Sequence, residues 1–218
     1  MATRGVYMQR VREPKQRRGI RTKKKIVDAA YKIFARKGIH GTTAREIAQK
    51  AGVSNGSFYS YFKNKKALLL EMLEDYLEVH FRTIWRSLDS FDLNELDREQ
   101  IRSILDSVFQ AYEISPDFHR QTHALRYSDP DIKRIFDRER EREIDQIQYI
   151  LEKNQDHLDH IKNPRAAAMV IHNAVENVAL TAKIVGSNLP GRQLADVLAD
   201  MIAGFVLRPG LGPEHESH

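Results

Sequence analysis

The stretch from Thr42 to Leu68, TTAREIAQKAGVSNGSFYSYFKNKKAL, leaves the chain few choices. Thr42 or Thr43 caps a short helix that runs through Lys50 and turns Ile47, Ala48 and Ala51 inward. Gly52 permits the sharp bend that Ala51-Gly52-Val53 must make. Ser54 then caps a second short helix, whose Phe58, Tyr61 and Phe62 are set to pack on Ile33, Phe34 and Ile47. That leaves Asn55, Gly56, Ser57, Tyr59 and Ser60 facing outward, small or polar apart from one tyrosine. An ordinary surface helix carries lysine and glutamate there. A face without bulk suits the N-terminal half of a helix that enters a major groove.

Charge points the same way. Residues 1–66 carry 18 Lys/Arg against 3 Asp/Glu, a balance of +15, and the remaining 152 residues carry 17 against 27, or −10. The net +5 therefore conceals a basic module suited to a polyanion and an acidic module with another task. Residues 1–20 show no helical period, with six basic residues and one acid, Glu13, punctuated by Pro14 and Gly19. They read as a flexible arm, either a solvated tail or one that lays Arg10, Arg12, Arg17 and Arg18 on DNA. A helix capped by Thr22 follows, with an inward stripe of Ile26, Ala29, Ala30, Ile33 and Phe34, and Gly38 ends it. Lys23, Lys24 and Lys25 fall in its first turn, against the helix dipole. Asn64 caps a connector helix over 64–86, striped by Leu68, Leu69, Met72, Leu73, Tyr76 and Val79.

The series Thr43, Ile47-Ala48, Ala51-Gly52-Val53-Ser54, Gly56, Tyr59, Tyr61-Phe62, Lys65 and Leu68, preceded by Ala29, Phe34 and Gly38, resembles the DNA-binding domain of the TetR family of transcriptional regulators. The match runs from Arg21 to about Val79. The resemblance implies an all-α fold of about nine helices. A helix-turn-helix domain over 21–66 would precede a helical ligand-binding and dimerisation domain over 67–208, with a loose tail over 209–218. It also implies a homodimer, usually a repressor, released from a DNA operator by a small molecule. By position, Thr43 would hold a phosphate and Arg45 reach DNA from the same helix. Ser54, Asn55, Gly56 and Ser57 would face base edges or phosphates, Tyr59 and Tyr61 touch backbone or thymine methyls, and Lys65 grip a phosphate. The chemistry agrees, since hydroxyls, amides and lysines position a duplex while Asn55 and Arg45 can read bases. Ala44 stands where some members carry a hydroxyl. Tyr61 fits the core as well as DNA, and Thr43 can cap a helix while it holds a phosphate.

Beyond Trp85 the pattern stays helical, without alternating strand runs or repeats. Asp89–Asp97 reads as a connection. Ile101, Ile104, Leu105, Val108, Phe109 and Tyr112 mark a helix before Pro116, and Pro130 opens a long helix to about Asn154. The alternating charges from Asp137 to Asp145, Glu141 and Glu143 among them, read as solvated. Asn163-Pro164 starts an Ala- and Val-rich helix that ends at Gly186, and Pro190 opens the last. These two are greasier than one core face requires. Val175, Ala179, Ala182, Leu194, Val197, Leu198, Met201, Ile202 and Phe205 are the candidates for a four-helix dimer interface, burial within one chain being the alternative.

Candidates for a small-molecule pocket are Phe81, Trp85, Phe109, Tyr112, Phe118, His119, His123, Tyr127, His172, Asn173, Glu176 and Asn177. Helix eight is the informative one, because polar residues interrupt an otherwise apolar run, as they do in ligand cavities. Hydrogen bonding across a dimer or within the core would explain them equally.

Several classes are excluded. Without cysteine there is no disulfide, thiolate site or cysteine nucleophile. His119/His123 lack an acid at a ligand spacing and His157/His160 lie i, i+3 near a helix end, so no metal or cofactor is expected. No serine elbow or phosphate loop appears, so no enzyme is expected. No secretory signal or membrane-length apolar run is present, which predicts a cytoplasmic protein, nucleoid-associated when on DNA. The expected partners are double-stranded DNA, a second copy and a small-molecule effector. The competing reading is a nonspecific architectural DNA binder, which the acidic half disfavours.

Overall fold

The computed structural model describes residues 17–86, 96–153, 158 and 160–207. Among them are nine α-helices and no strand: α1 (Arg17–Lys37), α2 (Ala44–Ala51), α3 (Asn55–Tyr61), α4 (Lys65–Trp85), α5 (Arg98–Ala111), α6 (Pro116–Leu125), α7 (Pro130–Lys153), α8 (Pro164–Leu180) and α9 (Gly191–Val206). No helix of the described residues is long and apolar enough to cross a membrane. Most of the basic arm, the connection before α5, His157 and the tail lie outside the described residues.

The chain divides into two compact units. The first comprises the chain up to Tyr76 together with Arg120–Ile132. Its core is the inward stripe of α1 (Ile26, Ala29, Ala30, Phe34) closed by Ile47 and Ala48 of α2, Phe58 and Phe62, and Leu68, Leu69, Met72 and Leu73 of α4. Helix α1 begins at Arg17, five residues before the expected cap. Thr22 lies inside it, its hydroxyl donating back to the Arg18 carbonyl at 2.9 Å. The three lysines accordingly lie past the first turn, and Lys23 pairs with Glu71 at 2.6 Å over the Phe62 ring.

Sequence distance hid the second piece of this unit. Gln121 donates to the Phe34 carbonyl at 3.0 Å and accepts from the Ile39 amide at 2.9 Å, which satisfies the end of α1. Lys66 binds Asp129 at 2.9 Å and Asp131 at 2.5 Å. The boundary expected after residue 66 therefore differs from the compact unit, which keeps α4 to Tyr76 and adds the α6–α7 connection.

The second unit, from Leu77 to His119 and from Lys133 onward, packs α5, α8 and α9 with parts of α4 and α7. Arg102 of α5 ties to Asp196 of α9 at 2.7 Å. Asn163 caps α8 through the Ala166 amide, with Pro164 in its first turn. A π-helical turn, Thr181–Val185, extends it to Gly186.

Candidate nucleic-acid interface and internal cavity

The caps expected of α2 and α3 both form. Thr43 is the α2 N-cap, in a reciprocal capping box: its hydroxyl accepts from the Glu46 amide at 3.3 Å, and Glu46 accepts from the Thr43 amide at 2.9 Å. Lys37 joins the same carboxylate. The hydrogen bond from Lys37, with those from the Thr43 backbone and hydroxyl, pulls the Glu46 carboxyl down to about 2. At the other end Gly52 adopts φ 67°, ψ 35°, and its amide closes on Ala48 and Gln49. Only glycine takes that left-handed bend without strain. Gly41 is required for another reason, since a Cβ there would stand 2.6 Å from the Lys37 carbonyl oxygen. Ser54 caps α3 through the Ser57 amide at 3.0 Å.

With Phe58 and Phe62 buried, α3 is fixed in rotation. Asn55, Gly56 and Ser60 are exposed, and Ser57, Tyr59 and Tyr61 half-buried. Arg45 and Thr43 are exposed on the neighbouring helix and its cap. Eight of the nine DNA candidates thus lie exposed or half-buried on α2, α3 and their N-caps.

Lys65 is the exception. Its ammonium donates to the carbonyls of Ile39 and Thr42, each at 2.6 Å, with His40 at 3.5 Å. Its donors hold the α1–α2 connection, and burial lowers its pKa. A free phosphate grip expected of Lys65 does not match this geometry. Three carbonyls at the mouth of a loop gather the cation inward.

The second unit holds a cavity of about 120 Å³, partly open to solvent. Of the twelve pocket candidates it gathers Trp85, Tyr112, His172 and Glu176. The other eight lie elsewhere. Phe81 packs under Arg142, its ring 3.5 Å from the guanidinium carbon. Phe109 is core, while Phe118 and His119 are buried, His119 against His80 and Tyr112. His123 meets Tyr127 edge-on in the first unit, and Tyr127 is 81% exposed. Asn173 and Asn177 are exposed, because each lies one residue, about 100° of helix, past His172 and Glu176 on the side shared with Val170.

The largest miss is on α7. Glu143, read as solvated, lines the cavity with only 17% of its side chain exposed and meets His172 Nε2 at 2.8 Å. Glu139 is similarly enclosed beside Arg142. Burial, then the Glu143 charge, pushes its carboxyl up to about 7 against the pull of Arg142. The signal was available: Phe136, Glu139, Glu143 and Ile147 fall on one helical stripe with Ile132. Among the described residues no cluster of three or more His, Cys, Asp or Glu is placed to hold a metal.

The candidate dimer residues divide. Ala179 and Leu198 are core, and Val175 and Ile202 line the cavity, so these four serve the monomer. Ala182 and Leu194 are half-buried. Val197, Met201 and Phe205, one turn apart on α9, remain 59%, 65% and 46% exposed, and Val170 on α8 is also exposed.

Comparison with known proteins follows this division. Residues 26–72 match the family model described as bacterial regulatory proteins, tetR family. The HTH-type transcriptional regulator YuxN of Bacillus subtilis is 46% identical over 61 residues, 28% of this chain and 21% of YuxN. The HTH-type transcriptional repressor KstR2 of Mycolicibacterium smegmatis is 31% identical over 112 residues, 51% of this chain and 50% of KstR2. The chain thus spans half or less of these relatives' lengths. Among solved structures, a transcriptional regulator of Pseudomonas aeruginosa PAO1 aligns with TM-score 0.70 at 19% identity, covering 90% of this chain and 95% of its own. A Saccharomonospora viridis regulator in complex with choline gives 0.66 at 18%, covering 83% and 94%. FadR of Bacillus subtilis in complex with stearoyl-CoA gives 0.64 at 21%, covering 84% and 98%. At such identities these likenesses concern the fold.

Proposed function

We propose that the chain, whose N-terminal domain matches the TetR family of bacterial regulatory proteins, is a ligand-released repressor acting as a homodimer in the cytoplasm. Two copies of α3 read a near-palindromic operator. The observation that carries the reading is the two-sided character of α3: Phe58 and the following Phe62 are buried, while Asn55, Gly56 and Ser60 stand exposed on a basic module. Asn55 and Arg45 read base edges. Thr43, Ser54, Gly56, Ser57, Tyr59 and Tyr61 position the backbone. Lys65 contributes by holding the α1–α2 connection.

Pairing through α8 and α9 is supported by the exposed stripe of Val197, Met201 and Phe205, with Val170 beside Asn173 and Asn177 on α8. The effector occupies the cavity of the second unit. Two structural neighbours, described with choline and with stearoyl-CoA, are precedents for ligand binding in this fold but differ in ligand charge. Helix α4 supplies Ile84 and Trp85 to the cavity and Leu68–Tyr76 to the DNA-binding unit. A ligand that favours one position of α4 therefore alters the spacing between the two α3 helices. It releases DNA only in so far as it binds the incompetent spacing more tightly.

Footprinting of the full chain on the region upstream of its own gene tests this reading. Two protected half-sites about one helical turn apart support it. Uniform coverage with no preferred site supports a nonspecific architectural binder instead.

A further inference from the structure

The cavity is lined chiefly by hydrocarbon. Thirteen of the nineteen described residues that line it are isoleucine, leucine or valine, and none is lysine or arginine. Its ionisable residues face one another. His172 stands between the two carboxylates of the wall, its Nε2 at 2.8 Å from Glu143 and its Nδ1 at 3.9 Å from Glu176. Neutral or protonated, the imidazole can donate from Nε2 to Glu143, so that contact stands in both states. His80 is 5% exposed and packs edge-on against Tyr112, and burial lowers its pKa against the pull of Glu143. A cavity of about 120 Å³ is close to the size, on the order of 150 Å³, at which an apolar void takes up a molecule like benzene.

We propose that the effector is an uncharged molecule with a compact hydrocarbon body of about six to eight carbons; this rests on the effector reading above. Its body lies against Leu105, Ile147, Ile171 and Ile202. On entering, it exchanges water for apolar contact, which favours binding in proportion to the area covered. A charged ligand loses its hydration there without an equal return. An anion meets Glu143 and Glu176 with no lysine or arginine among the described residues of the wall, and His172 already lies between those carboxylates. An ammonium ion must compete with His172 for the same two carboxylates.

Trp85 is the chain's single tryptophan and lines the cavity, so its emission reports occupancy, and the thermal midpoint reports it independently. The full chain is titrated near neutral pH with cyclohexylmethanol, cyclohexanecarboxylate and cyclohexylmethylammonium, alike in shape and different in charge, while operator release is followed in parallel. The inference expects saturable binding of the alcohol, roughly tenfold or more tighter than either ion. Ile147→Phe and Ile171→Phe each narrow the cavity and are expected to weaken alcohol binding about tenfold. Either ion binding as tightly as the alcohol overturns the inference. So does the absence of a saturable response to the alcohol by both readouts, or an alcohol affinity that both folded variants leave unchanged. Alcohol that fills the cavity without releasing the operator sustains the inference and defeats the release reading. An ion that fills it with release, where the alcohol does not bind, does the reverse.

Discussion

Gln121 accepts the Ile39 amide hydrogen at 2.9 Å, a bond between α6 and the α1–α2 connection that spans 82 residues of sequence. The same side chain donates to the Phe34 carbonyl, which also accepts from the Gly38 amide at 2.9 Å, so one amide serves both the end of α1 and the connection after it. Gln121→Ala leaves both groups without these partners and is expected to cost about 1–3 kcal/mol, read from urea denaturation. Gln121→Glu keeps the acceptor for Ile39 but sets a second oxygen against the Phe34 carbonyl. It is expected to be no more stable than the alanine variant.

Lys65→Met tests the inward-turned ammonium. Its loss removes the ammonium donor from the Ile39 and Thr42 carbonyls, and the urea midpoint is expected to fall by an amount corresponding to about 1–3 kcal/mol. In folded protein, the salt dependence of DNA binding should keep its slope. A lysine gripping phosphate would instead lower it by about 0.9.

Asn55→Ala and Arg45→Ala should behave unlike a phosphate contact. Each is expected to relax preference at particular operator positions by about 1–3 kcal/mol, measured by competition among single-base variants. A uniform loss across all sequences would move that residue to the positioning set.

Glu139 links the second unit to pH. Its carboxyl is raised to about 7, so between the unfolded value of 4.5 and 7 the folded state holds the proton more tightly. Stability from this group is therefore greatest below pH 4.5 and declines as pH rises through 7. Glu139→Gln is expected to be more stable than the parent by on the order of 2 kcal/mol at pH 8, with the gap closing towards pH 4. The comparison is read from denaturant unfolding at the two pH values.

Local chemistry made the DNA-binding unit legible. Thr43, Gly52 and Ser54 announce caps and a bend within a few residues, and Phe58 and Phe62 fix which face of α3 is free. What the sequence concealed was non-local. Nothing near Gln121 indicates that its amide serves residues 34 and 39. Thr22 carries a capping residue's chemistry, but the helix continues through it and its hydroxyl bonds backwards. On α7 a run of alternating charges masks the inward stripe of Glu139 and Glu143, because the helical phase that buries them runs through residues whose charge suits solvent. On α8 composition alone grouped Asn173 and Asn177 with His172 and Glu176, although a step of one residue, about 100° of helix, turns them out to solvent.

The most direct test of the account is the affinity ratio of the full chain for its footprinted site against a shuffled duplex at 150 mM salt, by fluorescence anisotropy. The account predicts that the site binds about a thousandfold tighter or more, and that Asn55→Ala narrows the ratio by roughly tenfold or more. Equal affinity for the two duplexes, unaltered by Asn55→Ala, would contradict it.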